Sequence, residues 1–174
     1  MSYSYNATIS DESNTVKACI QNAKVSFKNT RETCSTLRGR TLQNCFEYLN
    51  NVIRKIECVP MRRYARGVGN TTQARKFSTK NFVCTKGRWP VRSAALMLRI
   101  CKNIKNNALN KGLVPENLIV DMVTVNKAPI IFGRCFRAHG RVNSFNKSPC
   151  HVKMVCKSIQ PRINADDEVV EVKE

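Results

Sequence analysis

Apolar residues recur at three- and four-residue steps over Leu42, Cys45, Phe46, Leu49, Val52, Ile53 and Ile56. That spacing lines one face of an α-helix, so the stripe predicts an amphipathic helix with Cys45 acting as a small core hydrophobe. A second stripe, Val91, Ala94, Leu98, Cys101, Ile104 and Ala108, starts at Pro90 and stops near Gly112. Proline suits the first position of a helix and glycine the residue past its end. Arg92, Arg99 and Lys102 fall on another side and give this helix a basic face. A shorter helix is predicted ahead of both: Asn29 caps it, Glu32 supports the start three residues on, and Gly39 ends it. Ala23–Phe27 alternates apolar and polar residues, the signature of a short half-buried strand. Residues 1–22 are polar, rich in Ser and Asn and weakly periodic, and read as an N-terminal extension.

Two segments do not fit a helix. Residues 58–89 show no sustained period and carry Pro60, Gly67, Gly69 and Gly87. Structureless connections of that length are uncommon unless they are functional or disordered. This one interleaves Tyr64, Phe77, Phe82 and Trp89 with basic residues, so it reads as a basic insertion that orders on RNA. From about residue 117 to 158 the pattern is that of a long β-hairpin, with Leu118–Val125 and His151–Cys156 as its β-rich ends. Reflection about His139 sets Pro129 opposite Pro149 and leaves His139-Gly140 at the turn. Proline cannot donate to a strand ladder, so both prolines predict bulges or edges where the arms leave a sheet. Ten residues from each proline to the tip span about 30 Å at the rise of a strand. Nothing in the sequence supplies a core to cover that length. The elements together predict an α+β fold: three helices on a small antiparallel sheet, a protruding hairpin and extended tails.

Charge sharpens the picture. The chain has 174 residues, 42% of them hydrophobic, enough for one compact core. Thirty Lys and Arg against 12 Asp and Glu give a net charge of +18, with a pI near 9.9. Such an excess repels itself and calls for a polyanion, nucleic acid or an anionic membrane surface. No acid occurs between Glu57 and Glu116, where 13 Lys and Arg lie, or between Asp121 and Asp166, where there are 8 more. Solvated surfaces mix both signs, so these acid-free stretches are read as facing phosphates. Residues 159–174 reverse the sign with Asp166, Asp167, Glu168, Glu171 and Glu174, an acidic tail.

The candidate RNA-binding residues follow: Arg62, Arg63, Tyr64, Arg66, Arg75, Lys76, Lys86, Arg88, Trp89 and Arg92 from the insertion and its exit, and Lys127, Arg134, Arg137 and Arg141 from the hairpin. Guanidinium groups grip phosphate in a planar fork, and aromatic faces stack on exposed bases. Catalytic chemistry is not indicated. Neither histidine, His139 or His151, has a carboxylate nearby in sequence, and no nucleophile elbow, phosphate loop or dinucleotide fingerprint occurs. Cys135, His139, Cys150, His151 and Cys156 lie close together but lack the tight Cys pairs of structural zinc, so neither metal nor cofactor is expected. The N-terminus shows no secretory pattern and no run is long enough to span a membrane. The nine cysteines are read as reduced thiols. Three classes remain: a ribosomal RNA-binding protein, a free-standing RNA chaperone or assembly factor, and a secreted cationic protein held by disulfides.

The motifs narrow this further. V-S-F-K-N-T-R-E-T, C-V-P-M-R-R-Y-A-R-G-V-G and T-K-G-R-W-P-V-R-S-A, followed by V-N-K-A-P, R-A-H-G-R and S-P-C-H, occur in order over residues 23–158. In these the chain resembles the eukaryotic form of universal large-subunit ribosomal protein twenty-two, numbered seventeen in the older eukaryotic scheme. The resemblance implies an α+β core and a non-catalytic constituent of the large (60S) subunit. It implies a hairpin that reaches into ribosomal RNA, with Arg137, Ala138, His139, Gly140 and Arg141 at a tip that helps line the nascent-peptide exit tunnel. Partners would be large-subunit rRNA, neighbouring ribosomal proteins and the nascent polypeptide. The segment Arg62–Trp89 matches the insertion of the eukaryotic and archaeal branch, which implies a cytosolic ribosome assembled in the nucleolus. The first 22 residues match only loosely, and the acidic tail departs from the Lys-rich tail of animal members, so no contacts carry over to either end.

Overall fold

The computed structural model describes residues 12–80 and 82–158. Strand β1 (Thr15–Ala23) leads into helices α1 (Phe27–Leu37) and α2 (Leu42–Ile53). The insertion follows, with strand β2 (Val59–Pro60), a 3-10 turn over Thr72–Phe77 and strand β3 (Gly87–Arg88). Helix α3 (Val91–Asn110) then precedes β4 (Leu118–Lys127), β5 (Arg134–Phe136), β6 (Val142–Ser144) and β7 (Cys150–Ser158).

Strands β1, β7 and β4 form one antiparallel sheet with β7 in the middle. Successive strand residues point to opposite faces, so Cys150, Val152, Met154 and Cys156 turn one way and are buried. The three helices cover that face. Leu37 of α1, Cys45, Leu49 and Val52 of α2, and Met97, Ile100, Cys101 and Ile104 of α3 close the core against it. The fold is therefore α+β, three helices on a small antiparallel sheet, as the patterning predicts.

The predicted α2 stripe is buried at Leu42, Cys45, Leu49 and Val52, and Thr41 caps the helix by accepting from the Asn44 amide at 3.3 Å. Ile56 lies beyond the end of the helix and is exposed, and so is Val91 at the start of α3. Gly39, at φ +79, lets the chain turn after α1, and its amide donates to the Val120 carbonyl at 2.8 Å. That bond ties the α1–α2 connection to β4.

Three expectations change at the N-terminal end. Thr15–Ala23, placed in an extension, is an edge strand whose Val16 and Ala18 are buried against the helices. Ala23–Phe27 is not a strand, because the chain bends after Ala23 and α1 begins at Phe27. Asn29 is not the cap; Ser26 is, and Asn29 sits within the first helical turn. Helix α1 is unusual in burying hydroxyls: Thr30 and Thr33 are fully buried and bond back to the carbonyls of Ser26 and Asn29 at 2.9 and 3.0 Å. Those bonds offset the cost of removing the hydroxyls from water. Residues 1–11 and the acidic tail lie outside the described residues.

The insertion, expected to lack regular structure, has a small core and anchoring bonds of its own. Cys58, Ala74 and Cys84 make a second small core, flanked by Phe77 and Trp89. Gly87 packs so closely that a Cβ there would lie 2.7 Å from Cys58 Sγ and 2.8 Å from Thr71 Oγ1. The carboxylate of Glu32, fully buried in α1, accepts from the backbone amides of Arg62, Arg63 and Tyr64 at 3.3, 3.0 and 3.1 Å. Arg31 donates to the same carboxylate at 3.2 Å.

The hairpin follows the reflection read from the sequence. Arg134, Cys135 and Phe136 face Ser144, Asn143 and Val142, and Ile131 faces Lys147, all symmetric about residue 139. At the base, Asn126 faces His151 and Lys127 faces Cys150, displaced by one residue from that symmetry. The slip falls at Pro129 and Pro149, where the arm leaves the sheet. Ala128 still donates to the Pro149 carbonyl at 3.1 Å.

Candidate nucleic-acid interface

The sequence-predicted residues fall into two groups, and α1 joins them. In the insertion, Arg62, Arg63, Arg66, Arg75, Lys76 and Arg88 are exposed, whereas Tyr64, Lys86 and Trp89 are half-buried. Several of these cations also hold the insertion together. Arg62 donates to the Phe77 carbonyl at 3.2 Å, Arg88 to that of Gly67 at 2.7 Å and Lys86 to that of Ala65 at 3.5 Å. Lys76 pairs with Glu57, and its ammonium holds the Glu57 carboxyl below the usual carboxylate range. Lys76 is thus partly neutralised by its own chain. Trp89 donates from Nε1 to Gln73 at 3.0 Å and borders the small core, so its ring is partly committed to packing.

Tyr64 packs edge-on against Phe27, with ring centroids 6.0 Å apart. On the Phe27 ring lies the ammonium of Lys127, at 5.7 Å, and on the Tyr64 ring that of Lys28, at 5.8 Å. Phe27, the first residue of α1, therefore links the insertion to the base of the hairpin. Two depressions open beside it. One, of about 260 Å³, is lined by Phe27, Lys28, Lys127 and Pro149; the other, of about 330 Å³, by Lys24, Asn29, Trp89 and Arg92. Ser26, at the start of α1, and Pro90, at the start of α3, border the second depression. Neither helix has an acid in its first turn or a side-chain cap, so both present positive dipole ends and uncapped amides beside two cations. Lys24 and Lys28 were not singled out in the sequence. They lie outside the acid-free stretches, and only the fold brings them to Lys127 and Arg92.

The hairpin arm stands apart. Arg134, Arg137, Arg141 and Lys147 are exposed, and no described carboxylate is paired with any of them. The tip is a tight turn in which Arg137 donates to the Arg141 carbonyl at 2.8 Å, and His139 and Gly140 take φ of 60° and 68°. Arg137, Ala138, His139, Gly140 and Arg141 are all exposed. The arm also carries apolar side chains that the charge pattern does not single out: Phe132, Phe136 and Phe145 are 82%, 80% and 63% exposed. Their signal was present as aromatics inside an acid-free hairpin with no core to receive them.

All nine cysteines are free thiols, so no disulfide staples the fold. Cys135 faces Asn143 and Cys150 faces Lys127, which keeps those thiols apart. Among the described residues no three His, Cys, Asp or Glu side chains converge as metal ligands. No described helix is long and apolar enough to cross a membrane.

Fold and surface define a class: a small α+β protein with a continuous cationic band and a basic hairpin that outreaches its own core. Residues 18–157 match the family described as Ribosomal protein L22p/L17e. The chain is 39% identical over 166 residues to large ribosomal subunit protein uL22 of Podocoryna carnea, covering 94% of this chain and 88% of that one. It is 45% identical to the same protein of Bombyx mori over 82% of this chain and 73% of that one. For Ixodes scapularis the identity is 42%, over 82% and 76%. The chain belongs to the L22p/L17e family of ribosomal proteins, a family of structural, non-enzymatic components.

Proposed function

We propose that this chain is a structural constituent of the large subunit of the cytosolic ribosome, binding rRNA through the band from Arg62 to Lys127 and through its hairpin. The observation that carries the reading is the arm beyond Pro129 and Pro149. Residues 136–148 are exposed throughout, the cations there have no described carboxylate partners, and an isolated two-stranded ribbon is marginally stable in water. A folded polyanion supplies both the counter-charge and the packing that the arm lacks. Arg62, Arg63, Arg66, Arg75 and Arg88 grip phosphates from the insertion, and Lys24, Lys28 and Arg92 do so around the start of α1. Tyr64 and Trp89 are half-buried, so they serve as edges of that surface more than as open stacking platforms. The tip, Arg137–Arg141, lines the nascent-peptide exit tunnel, with neighbouring ribosomal proteins and the nascent chain as further partners and nucleolar assembly preceding cytosolic work.

The test is binding of the full chain to large-subunit rRNA fragments as salt is raised. If about ten phosphates are contacted, affinity falls roughly 10³- to 10⁵-fold between 50 and 200 mM salt. A salt-insensitive complex refutes the phosphate reading. For the tip, stalled nascent chains carrying a photocrosslinker should label residues 134–141 at some chain length; no label at any length rules out the tunnel position.

A further inference from the structure

Two of the exposed apolar residues of the arm, Phe132 and Val142, lie together. One open hollow of about 600 Å³ is lined mainly by Phe132, Arg134, Val142, Ser144 and Asn146, with Gly133 and Asn143 completing it. The register puts Phe132, Arg134, Val142, Ser144 and Asn146 on one face, because Arg134 faces Ser144, Phe136 faces Val142 and alternate residues share a face. Water is a poor neighbour for a phenylalanine that is 82% exposed, and no described element of the core covers it. The polar groups of the hollow are set as well. Asn146 accepts the Gly133 amide through Oδ1 at 3.3 Å, which leaves its amide nitrogen available as a donor. Gly133 cannot carry a side chain here, since a Cβ would lie 2.5 Å from the Phe145 carbonyl oxygen. The close approach of the two arms that shapes the hollow therefore depends on that glycine.

We propose that this hollow holds one unpaired nucleobase of the bound RNA, stacked on Phe132, with Arg134 on the adjoining phosphate and the Asn146 amide donating to the base edge. The proposal rests on the RNA-binding reading above and adds a base-recognising site to it. An aromatic plane beside a cation, with no described carboxylate paired to it, suits a base and its phosphate; an apolar protein surface would leave Arg134 without a partner. Stacking tolerates any base, whereas the single donor favours bases that present an acceptor on the exposed edge.

The experiment compares the full chain binding a twelve-nucleotide oligoadenylate with an abasic ribose-phosphate oligomer of equal length and charge. Phe132→Leu should weaken oligoadenylate binding roughly 5- to 150-fold, the range of one lost base stack, and leave the abasic oligomer unchanged. Phe132→Trp should retain or raise oligoadenylate affinity, and ultraviolet crosslinking of the wild-type complex should label Phe132. Residue 132 is outside the core, so unfolding midpoints of the variants should match the wild type. If Phe132→Leu leaves oligoadenylate binding unchanged, or weakens both oligomers equally, the stacking site is refuted while the phosphate reading stands. If the wild type binds neither oligomer in low salt, both readings fall together. If Phe132→Leu abolishes a crosslink to another ribosomal protein while oligoadenylate binding is unaltered, the hollow is a protein contact and the proposal is wrong.

Discussion

Replacing Glu32 tests whether the insertion is built around a buried charge. Its carboxylate is shielded from water and accepts three consecutive backbone amides, those of Arg62, Arg63 and Tyr64, besides the Arg31 guanidinium. Hydrogen bonds to charged groups contribute about 1.5–3 kcal/mol each, and they are not additive when they share one acceptor. Truncation in Glu32→Ala strands all three donors and should cost about 3–5 kcal/mol, the range for breaking a buried charged pair. For a chain of this size that is about 2–4 °C in Tm per kcal/mol. Glu32→Gln retains Oε1, which serves Arg63 and Tyr64, but sets an NH₂ against the Arg62 amide, so its cost should be about half. Calorimetry reads the total, and hydrogen exchange locates it. Amides 62–64 should exchange much faster in Glu32→Ala, while those of β7 change only by the global loss. Unchanged protection at 62–64 would show that the insertion is held in place by something other than this carboxylate.

Three further outcomes follow from the same structure. Burial pushes the Cys45 thiol up to about 11, Cys101 to about 12 and the Tyr48 hydroxyl to about 12. The folded state therefore keeps protons that the unfolded chain releases from about pH 9 upward. Stability should be intact below pH 9 and fall as pH rises through 11 to 12, by about 1.4 kcal/mol per pH unit per group; a flat denaturation midpoint across that window contradicts the burial argument. In native protein, Cys19 and Cys135, the two half-buried thiols, should react with a disulfide reagent before the seven buried ones, as peptide mass mapping would show. Gly133→Ala should leave the unfolding free energy of the core within about 0.5 kcal/mol of wild type but lower incorporation into large subunits, because only the arm is disturbed; equal incorporation means the arm absorbs the clash.

Helices α2 and α3 and the hairpin were legible because each carries its own period or symmetry. Leu42 to Val52 repeat as a helix must, and the slip at Pro129 and Pro149 follows from proline's missing donor. What was not legible depends on partners distant in sequence. Thr15–Ala23 alternates only weakly, with Ala18 and Cys19 in place of bulky β-branched residues, and it is a strand because β7 lies beside it. The insertion's core is Cys58, Ala74 and Cys84, residues too small to register as an apolar stripe. Glu32 reads naturally as a capping acid at the surface, and nothing local reveals that three amides some thirty residues on will close over it. In the candidate interface, the charges could be read from the sequence, but the role of Phe27 in joining Tyr64 to Lys127 could not.

The placement of the acids bears on how a chain of net charge +18 holds together. Glu32, Glu57 and Asp121 each pair with a cation, and each does so where the chain must be held: under the insertion, at its entry, and on β4 beside β7. Among the described residues the paired counter-charge lies in the core and the insertion, and none reaches the arm. Self-repulsion is then greatest in the hairpin, the element with the least packing to oppose it. On the rRNA-binding reading proposed above, this division would let the core and insertion fold without a partner and leave the arm dependent on one. Added carboxylates on the arm, as in Ser144→Glu, should therefore spare the fold of the free chain and still weaken rRNA binding, which the salt titration would register directly.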